Sequence, residues 1–169
     1  VLGVDRAGLV GEDGETHQGL FDCAFMTTVP GISIYSPASY SELRRCLHQA
    51  LMEETGLCAV RYPRGSQPAL PAAYPEGNGN YRLLESDSGG KELLLVSYGR
   101  ICAQIAQAVE TLRGQGKDPA VLKLTKIWPL DNRAVHLAAQ YKQILFVEEG
   151  IHHGGIGEHF LSALHSVGY

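Results

Sequence analysis

Apolar residues along the 169-residue chain keep two rhythms that alternate. Short apolar runs of strand length occupy 1–4, 32–35, 57–61, 93–96, 120–124 and 144–147. Between most of them the apolar positions recur at helical spacing. The clearest helix follows Ser39. Ser39-x-x-Glu42 fits a capping box, and Leu43, Cys46, Leu47, Ala50 and Leu51 then form one stripe until Gly56 stops it. Ile101, Ile105, Ala108, Val109 and Leu112 form a second stripe, ended by Gly114. Asp131 is a good N-cap for a helix carrying Val135, Leu137 and Ala138, and a last helix covers 158–167. A short helix over 21–28 and a rigid turn at Trp128-Pro129-Leu130-Asp131 complete the pattern. Strand followed by helix, repeated, predicts right-handed βαβ units: an α/β fold of mostly parallel sheets with helices on both faces. The stretch 65–80 is rich in Pro and Gly and poor in aliphatics, so it reads as a connection between two units. We place the boundaries at 1–65, a linker at 66–84, and 85–169.

Composition narrows the function classes. The chain is 44% hydrophobic and 19% charged with a formal net charge of −4. No run of Lys and Arg tracks a phosphate backbone, which argues against a nucleic-acid partner. No apolar run is long enough to span a bilayer. Cys23, Cys46, Cys58 and Cys102 form no C-x-x-C pair and fit neither a zinc site nor a disulfide framework, so they read as small buried residues in a reducing cytoplasm. The sequence opens as though inside a strand, without Met, and stops just after a helical pattern. It reads as a piece of a longer chain.

Three clusters carry candidate chemistry. The loop from Asp5 to Gly19 lies past the carboxyl end of a strand, where open α/β sheets bind ligands. There Arg6 offers a bidentate fork for an anion and His17 a proton-exchanging imidazole, although a solvated glycine loop explains the pattern equally well. Arg61-Tyr62-Pro63-Arg64-Gly65 follows another strand. If the two strands are neighbours, Arg64 and Arg6 converge on one rim and suit a phosphate or carboxylate. Taken singly, Arg61 and Arg64 read more simply as exposed residues beside the linker. The third cluster runs from Val147 to Glu158 and mixes acids, histidines and glycines at a strand end. Gly154-Gly155-Ile156-Gly157 can cradle an anion at a helix N-terminus. His152, His153 and His159 invite a metal, but adjacent histidines cannot both face one ion without special backbone geometry, so no metal site is assigned.

At these residues a resemblance enters. The run from Asp5 to Asp22, with Thr16-His17-Gln18-Gly19, resembles the signature of the 1-deoxy-D-xylulose-5-phosphate synthases, thiamine-diphosphate-dependent enzymes of transketolase type. Tyr35-Ser36-Pro37-Ala38 and Ala59-Val60-Arg61-Tyr62-Pro63-Arg64-Gly65 resemble that family's following segments. Lys126-Ile127-Trp128-Pro129-Leu130-Asp131, Val147-Glu148-Glu149-Gly150 and Gly154-Gly155-x-Gly157 resemble the C-terminal domain shared by transketolase-like enzymes. The resemblance covers nearly the whole chain, in order. It implies a partial pyrimidine-binding domain followed by a transketolase C-terminal-like domain, incomplete at its end.

It implies further that the parent enzyme is a cytoplasmic homodimer, plastidic in a plant. The parent would use thiamine diphosphate and Mg²⁺ to condense pyruvate with glyceraldehyde 3-phosphate, releasing CO₂ and supplying isoprenoid, thiamine and pyridoxal synthesis. Arg6 and Arg64 match the positions that hold the aldehyde's phosphate, Asp13 an acid near the same pocket, and His17 the active-site histidine. The residues that activate the cofactor and stack on its pyrimidine lie upstream of Val1 in the family. The cofactor-binding residues are therefore unknown here, neither cofactor is expected on these residues alone, and the piece by itself is expected to be inactive. Two rivals stand beside this reading. One is another transketolase-like enzyme, a transketolase or the β chain of a 2-oxo-acid dehydrogenase. The other is a non-enzymatic interaction domain on the same scaffold.

Overall fold

The computed structural model describes residues 1–75 and 77–169. Glu76, within the 66–84 connection, lies outside the described residues. Among these residues eight strands form two four-stranded sheets. The first sheet has the order β1 (Leu2–Val4), β3 (Cys58–Arg61), β2 (Ser33–Tyr35), β7 (Lys126–Trp128). Strands β1 and β2 run parallel to β3, and β7 runs antiparallel to β2. The second sheet has the order β4 (Tyr81–Leu84), β6 (Ala120–Leu124), β5 (Leu93–Tyr98), β8 (Gln143–Val147), parallel throughout except at β4. Each sheet thus carries one antiparallel edge strand that the hydrophobic rhythm alone does not predict. The first sheet borrows its edge, β7, from the far half of the chain.

Strand alternation decides which residues reach which core. Ile34 and Ala59 face a core shared by both sheets, with Leu94, Val96, Leu122, Leu124 and Ile127, and with α1 (Asp22–Met26), α4 (Asn132–Ala138) and α5 (Ile156–Ser166). The alternate positions Tyr35, Cys58 and Val60 pack against Cys46 and Ala50 of α2 (Tyr40–Met52). On the other face of the second sheet, Leu95 and Val121 meet Ile105, Ala106 and Val109 of α3 (Cys102–Gly114). Fully burying a Leu, Ile or Val contributes about 1.5–3 kcal/mol, so the shared core outweighs any surface ion pair in joining the two sheets. All four cysteines are buried and free. Burial pushes the Cys23 thiol up to about 11, which leaves it protonated near neutral pH. No helix among the described residues is long and apolar enough to cross a membrane.

The capping box holds in a modified form. Ser39 Oγ accepts from the Glu42 N–H at 3.3 Å, and Glu42 Oε2 accepts from the Ala38 N–H at 2.9 Å. The other Glu42 oxygen does something the pattern did not announce: it takes the Lys123 ammonium from β6 of the second sheet. Both side chains are 1% exposed. The Lys123 Nζ also sits 4.4 Å over the Tyr74 ring and 3.2 Å from its hydroxyl. Leu51, the last residue of the predicted stripe, is instead exposed, in the final turn of α2.

Asp131 caps α4 by accepting from the Arg133 N–H at 3.0 Å. The Arg133 side chain, with Asn80 and that N–H, holds the Asp131 carboxyl down at about 2 from an ordinary 3.8. A lowered folded-state value means the stabilisation is present above the ordinary carboxylate range and is lost as pH falls toward the folded value. Asp131→Ala is expected to lose about 1 kcal/mol near neutral pH. Urea denaturation should show that deficit closing between about pH 4 and about pH 2. A deficit that stayed constant over that interval would contradict the assignment.

Candidate functional site

Strands β1 and β3 pair in parallel with Val4 opposite Arg61, so the segments leaving their carboxyl ends share one rim. The first segment folds back on itself. The Gly8 N–H donates to the Gly19 carbonyl at 3.0 Å and the Gly19 N–H to the Arg6 carbonyl at 3.0 Å. A Cβ at Gly19 would collide with that Arg6 carbonyl, which is why glycine stands there. Inside the loop, Gln18 spans the gap: its Oε1 accepts from the Val10 N–H at 2.6 Å, and its Nε2 donates to the Val10 carbonyl at 2.7 Å. Arg6 has φ +60°, the one positive φ at a non-glycine residue among the described residues. Such a conformation costs on the order of 1–2 kcal/mol. It persists because Ala7 and Gly19 are tied down on either side, through Tyr62 O and Arg6 O.

The strained backbone aims the Arg6 guanidinium at Asp13. Arg6 Nη1 and Arg64 Nη1 each donate to Asp13 Oδ1 at 2.5 Å. The Asp13 side chain is fully buried, and its Oδ2 has no hydrogen-bond partner among the described residues. Two of the remaining guanidinium nitrogens lie near more distant carboxylates, Arg6 Nε at 3.9 Å from Asp5 and Arg64 Nη2 at 3.6 Å from Glu12. Three of the sequence candidates, Arg6, Asp13 and Arg64, therefore meet at one point. His17 stands exposed on a 3-10 turn, Glu15–His17, that begins two residues past Asp13, and its Nδ1 is 2.8 Å from Thr16 Oγ1. A cavity of about 200 Å³ opens beside Arg64, lined by Ser39, Tyr40, Gln67 and Arg100 among others.

The second half of the chain grips one end of this loop, and Arg61 of β3 grips the other. Glu149 Oε1 accepts from the Leu9 N–H at 3.3 Å, and Arg100, paired with Glu149 at 3.2 Å, donates to the Leu9 carbonyl. A Cβ on Gly8 would lie 2.5 Å from Glu149 Oε2, so this approach also requires glycine. At the other end, Arg61 Nη2 donates to the Gly19 carbonyl at 2.6 Å, and Arg61 Nε pairs with Asp22 at 2.6 Å. Arg61 is 3% exposed, which corrects its reading as an exposed residue beside the linker. Its charge is satisfied by Asp22 and by backbone carbonyls, as a buried guanidinium requires. Gln18, Arg61, Arg100 and Glu149 were given no site role from sequence. Gln18 and Glu149 lie inside recognised runs, but nothing local says that Glu149 meets a backbone group 140 residues earlier.

The glycine run before α5 holds internal anions. The Gly157 N–H donates to Glu148 Oε1 at 3.0 Å and the Gly154 N–H to Glu158 Oε2 at 2.7 Å. Glu148 also accepts from the Tyr98 hydroxyl at 2.6 Å.

The rim suits one kind of ligand and not another. Two guanidinium groups on a buried carboxylate suit the oxygens of a phosphate ester. They do not fit a metal-bound diphosphate, because Mg²⁺ asks for oxygen ligands in an octahedron. The one close group of three potential metal ligands among the described residues is His152, His153 and Glu158, at the start of α5.

Comparison with known proteins agrees with the architecture. Residues 1–68 match the family model described as the transketolase pyrimidine binding domain, and residues 84–169 match that of the transketolase C-terminal domain. The chain is 36% identical over 174 residues to the 1-deoxy-D-xylulose-5-phosphate synthase of Lysinibacillus sphaericus, covering 99% of this chain and 27% of that protein. It is 36% identical over 171 residues to the synthase of Chlorobaculum tepidum, covering 98% and 26%. The chain thus spans about a quarter of the length of these curated relatives. A solved structure titled a split gene transketolase, inactive beta4 tetramer, superposes with a TM-score of 0.77 at 22% identity, covering 99% of this chain and 53% of that one, and so shares its fold. With both family models matched in order on a mostly parallel α/β framework, the chain belongs to the transketolase family.

Proposed function

We propose that the protein bearing this chain condenses pyruvate with glyceraldehyde 3-phosphate to give 1-deoxy-D-xylulose 5-phosphate and CO₂, and that this chain holds the phosphorylated aldehyde. The observation that carries the reading is the convergence of Arg6 and Arg64, from two neighbouring strand ends, on one buried point. The likeness to synthases across 99% of the chain supports the choice of reaction. In this reading the guanidinium nitrogens that Asp13 does not hold bind the phosphate oxygens. Asp13 keeps both arginines in register, and the exposed His17 donates to or accepts from the substrate's oxygens. Thiamine diphosphate and Mg²⁺ are proposed as the protein's cofactors. The rim does not fit them, so no step through them is assigned to these residues, and the 169 residues alone are proposed to be inactive. The whole protein is proposed to be a cytoplasmic homodimer, and the four free buried cysteines fit a reducing compartment.

The test is an assay of the complete protein supplied with thiamine diphosphate and Mg²⁺. Deoxyxylulose phosphate and CO₂ are expected from pyruvate with glyceraldehyde 3-phosphate. Turnover of a ketose phosphate donor with no product from pyruvate would replace the reading with a transketolase. No turnover of either donor would favour an interaction domain.

A further inference from the structure

We propose that His152, His153 and Glu158 form a surface site for a divalent transition metal, with Zn²⁺ as the physiological class of ion. From sequence, the two adjacent histidines look unable to face one ion. The backbone removes that objection. Gly154, at φ +76°, turns the chain directly after His153, and α5 begins at Ile156. Just before that turn the two imidazole rings stand edge to face with centroids 4.8 Å apart. The turn brings Glu158, from the first turn of α5, back onto them: His153 Nδ1 lies 3.8 Å from Glu158 Oε1. One donor atom from each of the three residues lies within 4.8 Å of the other two.

The carboxylate is already oriented for this task. Glu158 Oε2 accepts the Gly154 N–H at 2.7 Å, which leaves Oε1 turned toward the imidazoles. A hydrogen bond from outside the ligand set that fixes a ligand's direction is a regular feature of metal sites. Burial does not freeze the rings, since His152 and His153 are both exposed. Zn–N bonds of about 2.0–2.1 Å in a tetrahedron need donor atoms about 3.3 Å apart. The donor atoms start within 4.8 Å of one another, and exposed side chains are free to turn about χ1 and χ2 toward a common ion.

The donor set selects the ion. Two imidazoles suit Zn²⁺, Ni²⁺ or Cu²⁺, whereas Mg²⁺ and Ca²⁺ prefer oxygens. The partial positive charge of the α5 N-terminus also opposes a hard cation held only by charge. It opposes less an ion held by nitrogen lone pairs beside an ionised Glu158. Three protein ligands leave water to complete the shell, so the site is an open one.

Titration calorimetry on the untagged full-length protein tests the site, with ZnCl₂ in one arm and MgCl₂ in the other. The protein should take up Zn²⁺ with micromolar affinity, and Mg²⁺ should not compete. The chain has seven histidines, so the decisive comparison is with the double variant His152→Ala/His153→Ala, which should bind one Zn²⁺ fewer. Glu158→Gln keeps the acceptor for Gly154 and should weaken binding at least about tenfold. Co²⁺ added to the native protein should give a visible absorption band that the double variant lacks. Unchanged Zn²⁺ stoichiometry and affinity in the double variant would overturn the proposal, as would equal competition by Mg²⁺. All the substituted side chains are exposed, so matching circular dichroism spectra are expected throughout.

Discussion

Arg64→Ala is expected to raise the KM for glyceraldehyde 3-phosphate between about 10-fold and about 100-fold, because a hydrogen bond to a charged group is worth about 1.5–3 kcal/mol. The turnover number at saturation should change much less, since a phosphate held far from the reacting carbon is bound alike before and during reaction. An aldehyde lacking the phosphate supplies the control. Its KM should not move in the variant, because the lost contact was never made. Arg64→Lys should recover only part of the loss, as an ammonium keeps the charge but not the fork that reaches two oxygens. Arg6 allows a sharper version of the experiment. Its φ of +60° is one that glycine adopts freely, so Arg6→Gly removes the guanidinium while relieving the backbone. A loss of phosphate affinity in a variant that is no less stable would separate binding from folding. Equal KM increases for the phosphorylated and unphosphorylated aldehydes would refute the assignment.

The largest stability effect should come from Lys123→Met. Lys123 and Glu42 are each 1% exposed and join the second sheet to α2 of the first unit. Removing one partner strands the other charge where water cannot reach it, which typically costs about 3–5 kcal/mol. Replacing both partners should cost far less, because the desolvation penalty disappears with the charges. Lys123→Met/Glu42→Gln is therefore expected to recover most of what Lys123→Met loses, measured as the free energy of denaturant unfolding. Tyr74 stays as a neighbour in either case, with its hydroxyl 3.4 Å from Glu42 Oε2. A double variant as unstable as the single one would show that packing around the lysine stem, and not the stranded carboxylate, sets the cost.

Much of this molecule is legible in its residues because local chemistry specifies it. The Ser39 capping box and the Asp131 cap each act within a few residues and appear where the spacing places them, while α3 forms as expected but buries Cys102, Ile105, Ala106 and Val109 and leaves Ala108 of the predicted stripe exposed. Strands β2, β3, β5 and β6 are buried on both faces, so they read as continuous apolar runs. The edge strands are another matter. Tyr81–Leu84 and Lys126–Trp128 are short, half-buried and mixed in polarity, and their extended form is imposed by partners distant in sequence. The same division runs through the candidate site. Arg6 and Arg64 could be picked out because strand ends announce themselves, whereas Asp13 entered only through the family resemblance. The grip of Glu149 and Arg100 on Leu9 could not, because it exists only once two sheets have docked. Arg61 was misjudged for a related reason: its partner Asp22 lies 39 residues away, and an arginine at a strand end carries no local sign of burial.

The borrowed edge strand bears on how this chain can be recombined with its relatives. A crossover placed in the 66–84 connection separates two matched family segments, and by sequence it is the natural seam. Yet such a chimera exchanges more than its second segment. It also replaces β7 at the margin of the first sheet, Lys123 opposite Glu42, and both groups that hold Leu9. Parents that differ at any of these positions would yield hybrids with a mismatched sheet margin or a stranded carboxylate. The unit of inheritance here is therefore larger than either segment, and substitutions on the two sides of the seam are expected to have changed together.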